Sequence, residues 1–252
     1  MKRPTVLIAI VLLAIAGSAT ASEWLRWTTA ALPDAPGFCC ATRAAGGTHA
    51  AACKLEGGNR MYGSFDGAPR SDLLQVYARY EADALAEVRV YGGACDVRST
   101  SALRELGALD EAASLARLLA PIAAGQRAAQ DRLVAVAQHP GQAALNWLQQ
   151  RSRDGARDER RDAWFWLGQR LGTGVQPLVR EALPTADDDL REHLVFVLSQ
   201  MPAPAGVDAL IALVEDRRLD RDLRHRALFW LAQSDDTRAF AYLDRTLDPA
   251  GS

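Results

Sequence analysis

The chain has 252 residues, 49% of them hydrophobic and 24% charged, a composition that rules out wholesale disorder and suits one large domain or two small ones. A formal net charge of −2 supplies no broad basic surface for a polyanion, so nucleic acid is not an expected partner.

The first element is an address. Lys2 and Arg3 precede an unbroken apolar run from Val6 to Ala16, and Ala19-Thr20-Ala21 puts small residues where a signal peptidase reads them. The run is shorter than the roughly 20 residues that a membrane span needs. Residues 1–21 are therefore expected to be a signal peptide cleaved before Ser22, leaving a mature chain with no membrane span. Lys2 and Arg3 are its only charged residues, so the mature chain moves from −2 to −4.

Residues 22–98 read as a small β-rich domain. Gly46-Gly47, Gly57-Gly58-Asn59 and Asp66-Gly67-Ala68-Pro69 are turn signals. Leu74, Val76, Ala78 and Tyr80 alternate with more polar neighbours, and Ala86, Val88 and Val90 alternate again after Glu81-Ala82-Asp83-Ala84, which is a hairpin signal. Weaker strands are expected at His49–Leu55 and Met61–Phe65, and Trp24 and Trp27 open the region. Cys39, Cys40, Cys53 and Cys95 all fall within it. In an exported chain such a set reads as two disulfides that staple a modest core. Adjacent Cys39 and Cys40 would form a strained ring, so each is expected to pair with Cys53 or Cys95, in either arrangement. The alternative is a metal site built from these thiolates and His49, although no CxxC is present.

Past Arg98 the pattern turns helical. Residues 99–128 are expected to be a helical cap or linker, with a helix over Asp110–Ala120 stopped by Pro121. Short helical runs then alternate with breaks at Pro140-Gly141, Gly172–Gly174, Pro184 and Pro202–Gly206. Trp166-Leu167-Gly168-Gln169, Val197-Leu198-Ser199-Gln200 and Trp230-Leu231-Ala232-Gln233 superimpose, with Ala135-Val136-Ala137-Gln138 before them. From Gln138, the glutamines Gln169, Gln200 and Gln233 follow at intervals of 31, 31 and 33 residues. Six residues before positions 166, 197 and 230 stand Arg160, Arg191 and Arg224, each preceded by acids. Second helices are expected near Ala143–Leu148, Pro177–Leu183, Ala209–Val214 and Ala239–Leu247.

Acid, arginine, then apolar or small residues three, four, seven and eight positions on: this pattern resembles the HEAT repeat. Three clear copies span 158–183, 187–214 and 220–247, and a degenerate copy at 129–149 lacks the arginine at position 129. The resemblance implies a mainly α chain, whose region 129–252 is an α-solenoid of about three to four hairpins following the β-rich domain. Such hairpins cannot bury their apolar faces alone and stack to share a core. The core stripe is expected at Ala163, Trp164 and Leu167, with equivalents at Leu194, Val195 and Leu198, and at Ala227, Leu228 and Leu231. The acids would cap helix starts and the arginines bridge to acids of the next repeat. The order of segments is also similar to secreted bacterial HEAT-repeat proteins, which implies a periplasmic location.

Phe165, Phe196 and Phe229 share one repeat position and lie roughly 150° from the core stripe, among polar neighbours. With Trp166 and Trp230 they are the candidate partner-binding residues: either the rest of the chain covers them or they are offered to another protein. The four histidines form no HExxH, and no GxSxG, Walker loop or dinucleotide fingerprint is present. The sequence therefore points to a non-enzymatic scaffold for a protein partner, with no cofactor, metal or catalytic residue assigned. The alternative is a cell-envelope enzyme, or a metal- or pigment-handling protein, using the cysteine-containing domain.

Overall fold

A computed structural model of the chain describes residues 23–33, 38–44, 46–57, 62–63, 68–123 and 126–247. The expected signal peptide lies outside the described residues. The strands come first: β1 (Trp24–Ala30), β2 (Cys39–Ala44), β3 (Gly47–Ala51), β4 (Cys53–Lys54), β5 (Tyr62–Gly63), β6 (Leu73–Glu81), β7 (Ala84–Gly92), β8 (Val97–Arg98) and β9 (Leu103–Ala108). The helices follow: α1 (Glu111–Leu118), α2 (Gln126–Ala137), α3 (Gln142–Asp154), α4 (Arg157–Leu171), α5 (Val175–Ala182), α6 (Asp188–Ser199), α7 (Ala205–Glu215), α8 (Arg221–Ala232) and α9 (Thr237–Leu247), with a short 3₁₀ turn at Gly172–Gly174. About half of the described residues are helical.

The expected hairpin is β6–β7, with Val76 opposite Val90 and Ala78 opposite Val88. Ala82 and Asp83 turn it with φ of 47° and 67°, the left-handed pair that matches the twist of a two-residue hairpin. β6 pairs with β1 antiparallel, and β1 pairs with β9 parallel, giving the order β7-β6-β1-β9. The His49–Leu55 candidate divides into β3 and β4, and within the Met61–Phe65 candidate the described residues Tyr62 and Gly63 form β5.

Strand alternation sends neighbouring residues to opposite faces, and here both faces are covered. Leu25, Trp27, Leu74, Val76, Ala78, Val88 and Val90 join Leu115 and Leu118 of α1, Ala135 and Val136 of α2 and Ala144 of α3 in one core. Trp24, Tyr77 and Tyr91 face the other way, into a cluster with the four cysteines and Leu55. The two tryptophans that open the region thus belong to different cores. Gln75 and Tyr77, expected to be the wetter side of β6, are buried for the same reason.

One boundary is corrected. The segment 99–128, expected to be helical, opens with β9, and only Asp110 onward forms a helix. Leu103-Arg104-Glu105-Leu106 has good helix formers, but pairing with β1 overrides that weak local preference. The remaining helices share a third core, which contains Leu133 and Ala137 of α2 and Leu148 of α3 together with the expected stripe residues of α4, α6 and α8, except that Leu228 is only half-buried. α2 and α3 therefore contribute to two cores at once. They are the joint between sheet and helices.

Candidate interaction surface

The disulfide cluster fixes the first part of this surface. Cys39 bonds Cys95 and Cys40 bonds Cys53, with Cα separations of 5.5 and 5.1 Å. Adjacent residues of β2 thus take different partners, which resolves the two pairings that sequence left open. All four thiols are consumed, so the alternative of a thiolate site with His49 has no sulfur ligand to offer. Among the described residues no group of three or more His, Cys, Asp or Glu is placed to hold a metal ion. Gln75 holds the turn that carries Cys95: its amide donates to the carbonyls of Gly92, Gly93 and Cys95 at 3.1, 3.2 and 2.9 Å, while its Oε1 accepts from Arg26 and Tyr77. The backbone N–H of Gly92 donates to the carbonyl of Phe38 at 3.0 Å, fixing Phe38 beside the first disulfide.

Arginine–carboxylate pairs join successive helices. Arg160 meets Asp187 at 2.9 Å, Arg157 meets Asp189 at 2.8 Å, and Arg191 meets Asp220. Asp187 and Asp220 also cap α6 and α8, accepting from the backbone N–H of Leu190 and Leu223. Those N–H bonds come first in holding both carboxyls below the usual range; burial opposes them, and the arginines add to the lowering. α4 differs, because its N-cap is Ala156 and Asp158 lies in the first turn without capping. Arg224 has no corresponding acid among the described residues. Position 129 lacks the repeat arginine, but Arg132, one turn on, reaches Glu159 at 3.7 Å. Gln200 and Gln233 stand at the C-caps of α6 and α8, whereas Gln169 is still inside the longer α4; all three are exposed.

The five aromatic candidates come together in one band. Phe165 stacks on Phe196 with centroids 6.3 Å apart and planes 11° from parallel. Phe196 meets Trp230 at 5.2 Å. Within each helix the adjacent pair is edge-on, Phe165–Trp166 at 5.3 Å and 79°, Phe229–Trp230 at 5.2 Å and 77°. A sixth ring that sequence did not assign joins from the disulfide cluster: Phe38 sits 5.9 Å from Trp166. Phe165, Phe196, Trp166 and Trp230 are half-buried, while Phe229 is 48% exposed. The chain thus covers one end of the band and leaves the other open.

Sequence also missed a buried polar chain. Trp27 Nε1 donates to Ser114 Oγ at 2.8 Å, Ser114 Oγ lies 2.8 Å from His139 Nε2, and His139 Nδ1 lies 2.8 Å from the Ala135 carbonyl. The carbonyl can only accept, so Nδ1 carries the proton and Nε2 accepts from Ser114. A Ser–His contact suggests nucleophilic chemistry, but both side chains are 0% exposed and the hydroxyl is already engaged by an indole. Burial pushes the His139 pKa below its ordinary value, against the opposing effect of the Ala135 bond. The arrangement ties β1, α1 and the end of α2 together. No signal short of tertiary contact marks it.

A cavity of about 320 Å³ opens between α3, α4, α5 and α6, lined in part by Ser152, Trp164, Leu178 and Leu190, with Arg153 and Glu181 exposed. No helix among the described residues is long and apolar enough to cross a membrane. Neither a scan against protein-family models nor a search of curated proteins finds a match to this chain.

Proposed function

We propose that the chain is an exported, non-enzymatic interaction scaffold whose helical half is a HEAT-like solenoid that presents its surface to a protein partner. The observation that carries this reading is the aromatic band, continuous across α4, α6 and α8 and ending on the half-exposed Phe229. Aromatic rings concentrate interface energy because they bury a large rigid area at little entropy cost.

The solenoid reading draws support from the contacts of α4 with α6 and of α6 with α8, and from the arginine–acid bridges that recur between them. Two disulfides suit an oxidising compartment outside the cytoplasm, and the periplasm is the reading in keeping with the expected leader.

The test replaces Phe229 with a photoreactive phenylalanine analogue in the native host and illuminates intact cells. A reproducible adduct with a defined protein is expected, and none from the same analogue at exposed Arg217. Equal labelling at both positions, or no adduct at Phe229, would overturn the reading.

A further inference from the structure

Helices α4, α6 and α8 present corresponding faces, offset along the chain by 31 and then 33 residues. On α4 the face consists of Arg157, Arg160, Arg161, Trp164, Phe165 and Gly168, and α6 covers it. The opening acids of α6 meet its basic end: Asp187 takes Arg160 at 2.9 Å, and Asp189 takes Arg157 at 2.8 Å with Arg161 at 3.9 Å. Further along, Phe196 stacks on Phe165, and Val197 closes on Gly168. α8 covers α6 in the same sense, with Asp220 on Arg191 and Trp230 against Phe196.

α8 repeats this face at Arg221, Arg224, His225, Leu228, Phe229 and Ala232. Leu228 is half-buried where Trp164 and Val195 are buried, Phe229 is exposed where Phe165 and Phe196 are half-buried, and Ala232 is exposed where Gly168 is buried. The end of a helical stack that faces water carries polar residues there. This end keeps the apolar ones. Its charges are those of α4, since Arg221 and Arg224 match Arg157 and Arg160. Neither arginine has a carboxylate within ion-pair distance among the described residues, and Arg221 Nε donates to His225 Nε2 at 3.4 Å. Of the nearby acids, Asp220 is held by Arg191, and Asp222 corresponds to Asp189, which turns back to the preceding helix.

We infer that α8 docks a helix of a protein partner, parallel to itself, that opens with Asp-x-Asp at its N-cap and second helical position and carries an aromatic residue nine positions after the first Asp. Such a helix puts two carboxylates on Arg221 and Arg224 and, two and a half turns on, a ring on Phe229. α6 meets the matching face of α4 with these same groups, Asp187, Asp189 and Phe196. The inference rests on the interaction reading above and names the chemistry of the partner.

The test uses a stapled helical peptide with the sequence of residues 187–200, and its counterpart with Asn in place of the aspartates at 187 and 189. Binding to the oxidised full chain is read by fluorescence anisotropy, and its place by the NMR shifts of the Phe229 ring. The Asp peptide is expected to bind about five- to tenfold more tightly, as two partly exposed ion pairs supply, and added salt should shrink that difference. Arg221→Gln/Arg224→Gln should remove the preference and keep the weaker binding common to both peptides, with thermal unfolding showing the variant folded. Equal binding of the two peptides, or a preference that survives in the double variant, would overturn the inference. So would concentration-dependent dimerisation lost in Phe229→Ala, which would make a second copy the occupant, or a matching gain in affinity on Asp248→Asn, which would put the acid in this chain. A photo-adduct at Phe229 that maps to a partner segment without a helix or without acids would sink this inference while leaving the interaction reading intact.

Discussion

Ser114 accepts a hydrogen bond from the Trp27 indole and donates one to His139, so one buried hydroxyl joins residues 87 and 25 positions away. Ser114→Ala would leave a buried indole N–H and an imidazole nitrogen unpaired. Unpaired buried polar groups cost about 1–3 kcal/mol each in lost hydration, so a loss of that order is expected in denaturant titrations. The same histidine sets a pH dependence. Burial lowers the His139 pKa in the folded chain, and His193 is lowered for the same reason. Above the unfolded value of 6.5 both are neutral in either state and contribute no slope. Below it the unfolded chain binds protons that the folded chain refuses, so stability falls. The denaturation midpoint should drop between pH about 7.5 and 5.5, and His139→Gln should flatten the drop in part. A midpoint that rises over that interval would contradict the assignment. Neither Ser114 nor His139 stands in a local pattern that points to the other, because nothing local records a hydrogen bond between distant segments.

Helix α4 packs tightly against α6 at Gly168, where an added Cβ would stand 2.8 Å from Val197 Cγ1. The repeat pattern places small residues at this position, Gly168, Ser199 and Ala232, and the packing explains the first of them. Gly168→Leu should cost about 1–3 kcal/mol through overpacking, measured as a shift in denaturation midpoint. Gly168→Ala should cost less, since only a methyl group of Val197 has to give way. The same pair of helices shows where repeat grammar is legible and where it stops. The bridges from Arg160 to Asp187 and Arg191 to Asp220 follow from the spacing of acid and arginine. The replacement of a missing arginine by Arg132 does not, because it depends on where Glu159 sits after folding.

At the scale of the molecule, α2 and α3 bind the two halves by lining both the sheet core and the helical core. Arg170 of α4 reinforces the joint, donating to the carbonyls of Pro140 and Gly141 at 2.9 and 2.7 Å. Shared helices make partial unfolding costly. The aromatic signal in near-ultraviolet and the backbone signal in far-ultraviolet circular dichroism should therefore be lost in one transition, and separated transitions would show that the halves are independent. The bond between Cys39 and Cys95 spans 56 residues, so removing it restores considerable freedom to the unfolded chain. A Cys39→Ala/Cys95→Ala double variant should lose about 4 kcal/mol, and the Cys40→Ala/Cys53→Ala variant, with a separation of 13, about 3 kcal/mol. What the sequence by itself determined was local or periodic: the β6–β7 hairpin, the helical rhythm after Asp110, the buried stripes of α4 and α6, and the even set of cysteines. These are legible because strands and helices repeat every two or 3.6 residues, and one face must avoid water. Only the tertiary structure decided the cysteine pairing, the strand at Leu103–Ala108, the docking of Phe38 on Trp166 and the exposure of Phe229. Each depends on which distant surface arrives to cover a residue, and no periodicity along the chain encodes that meeting.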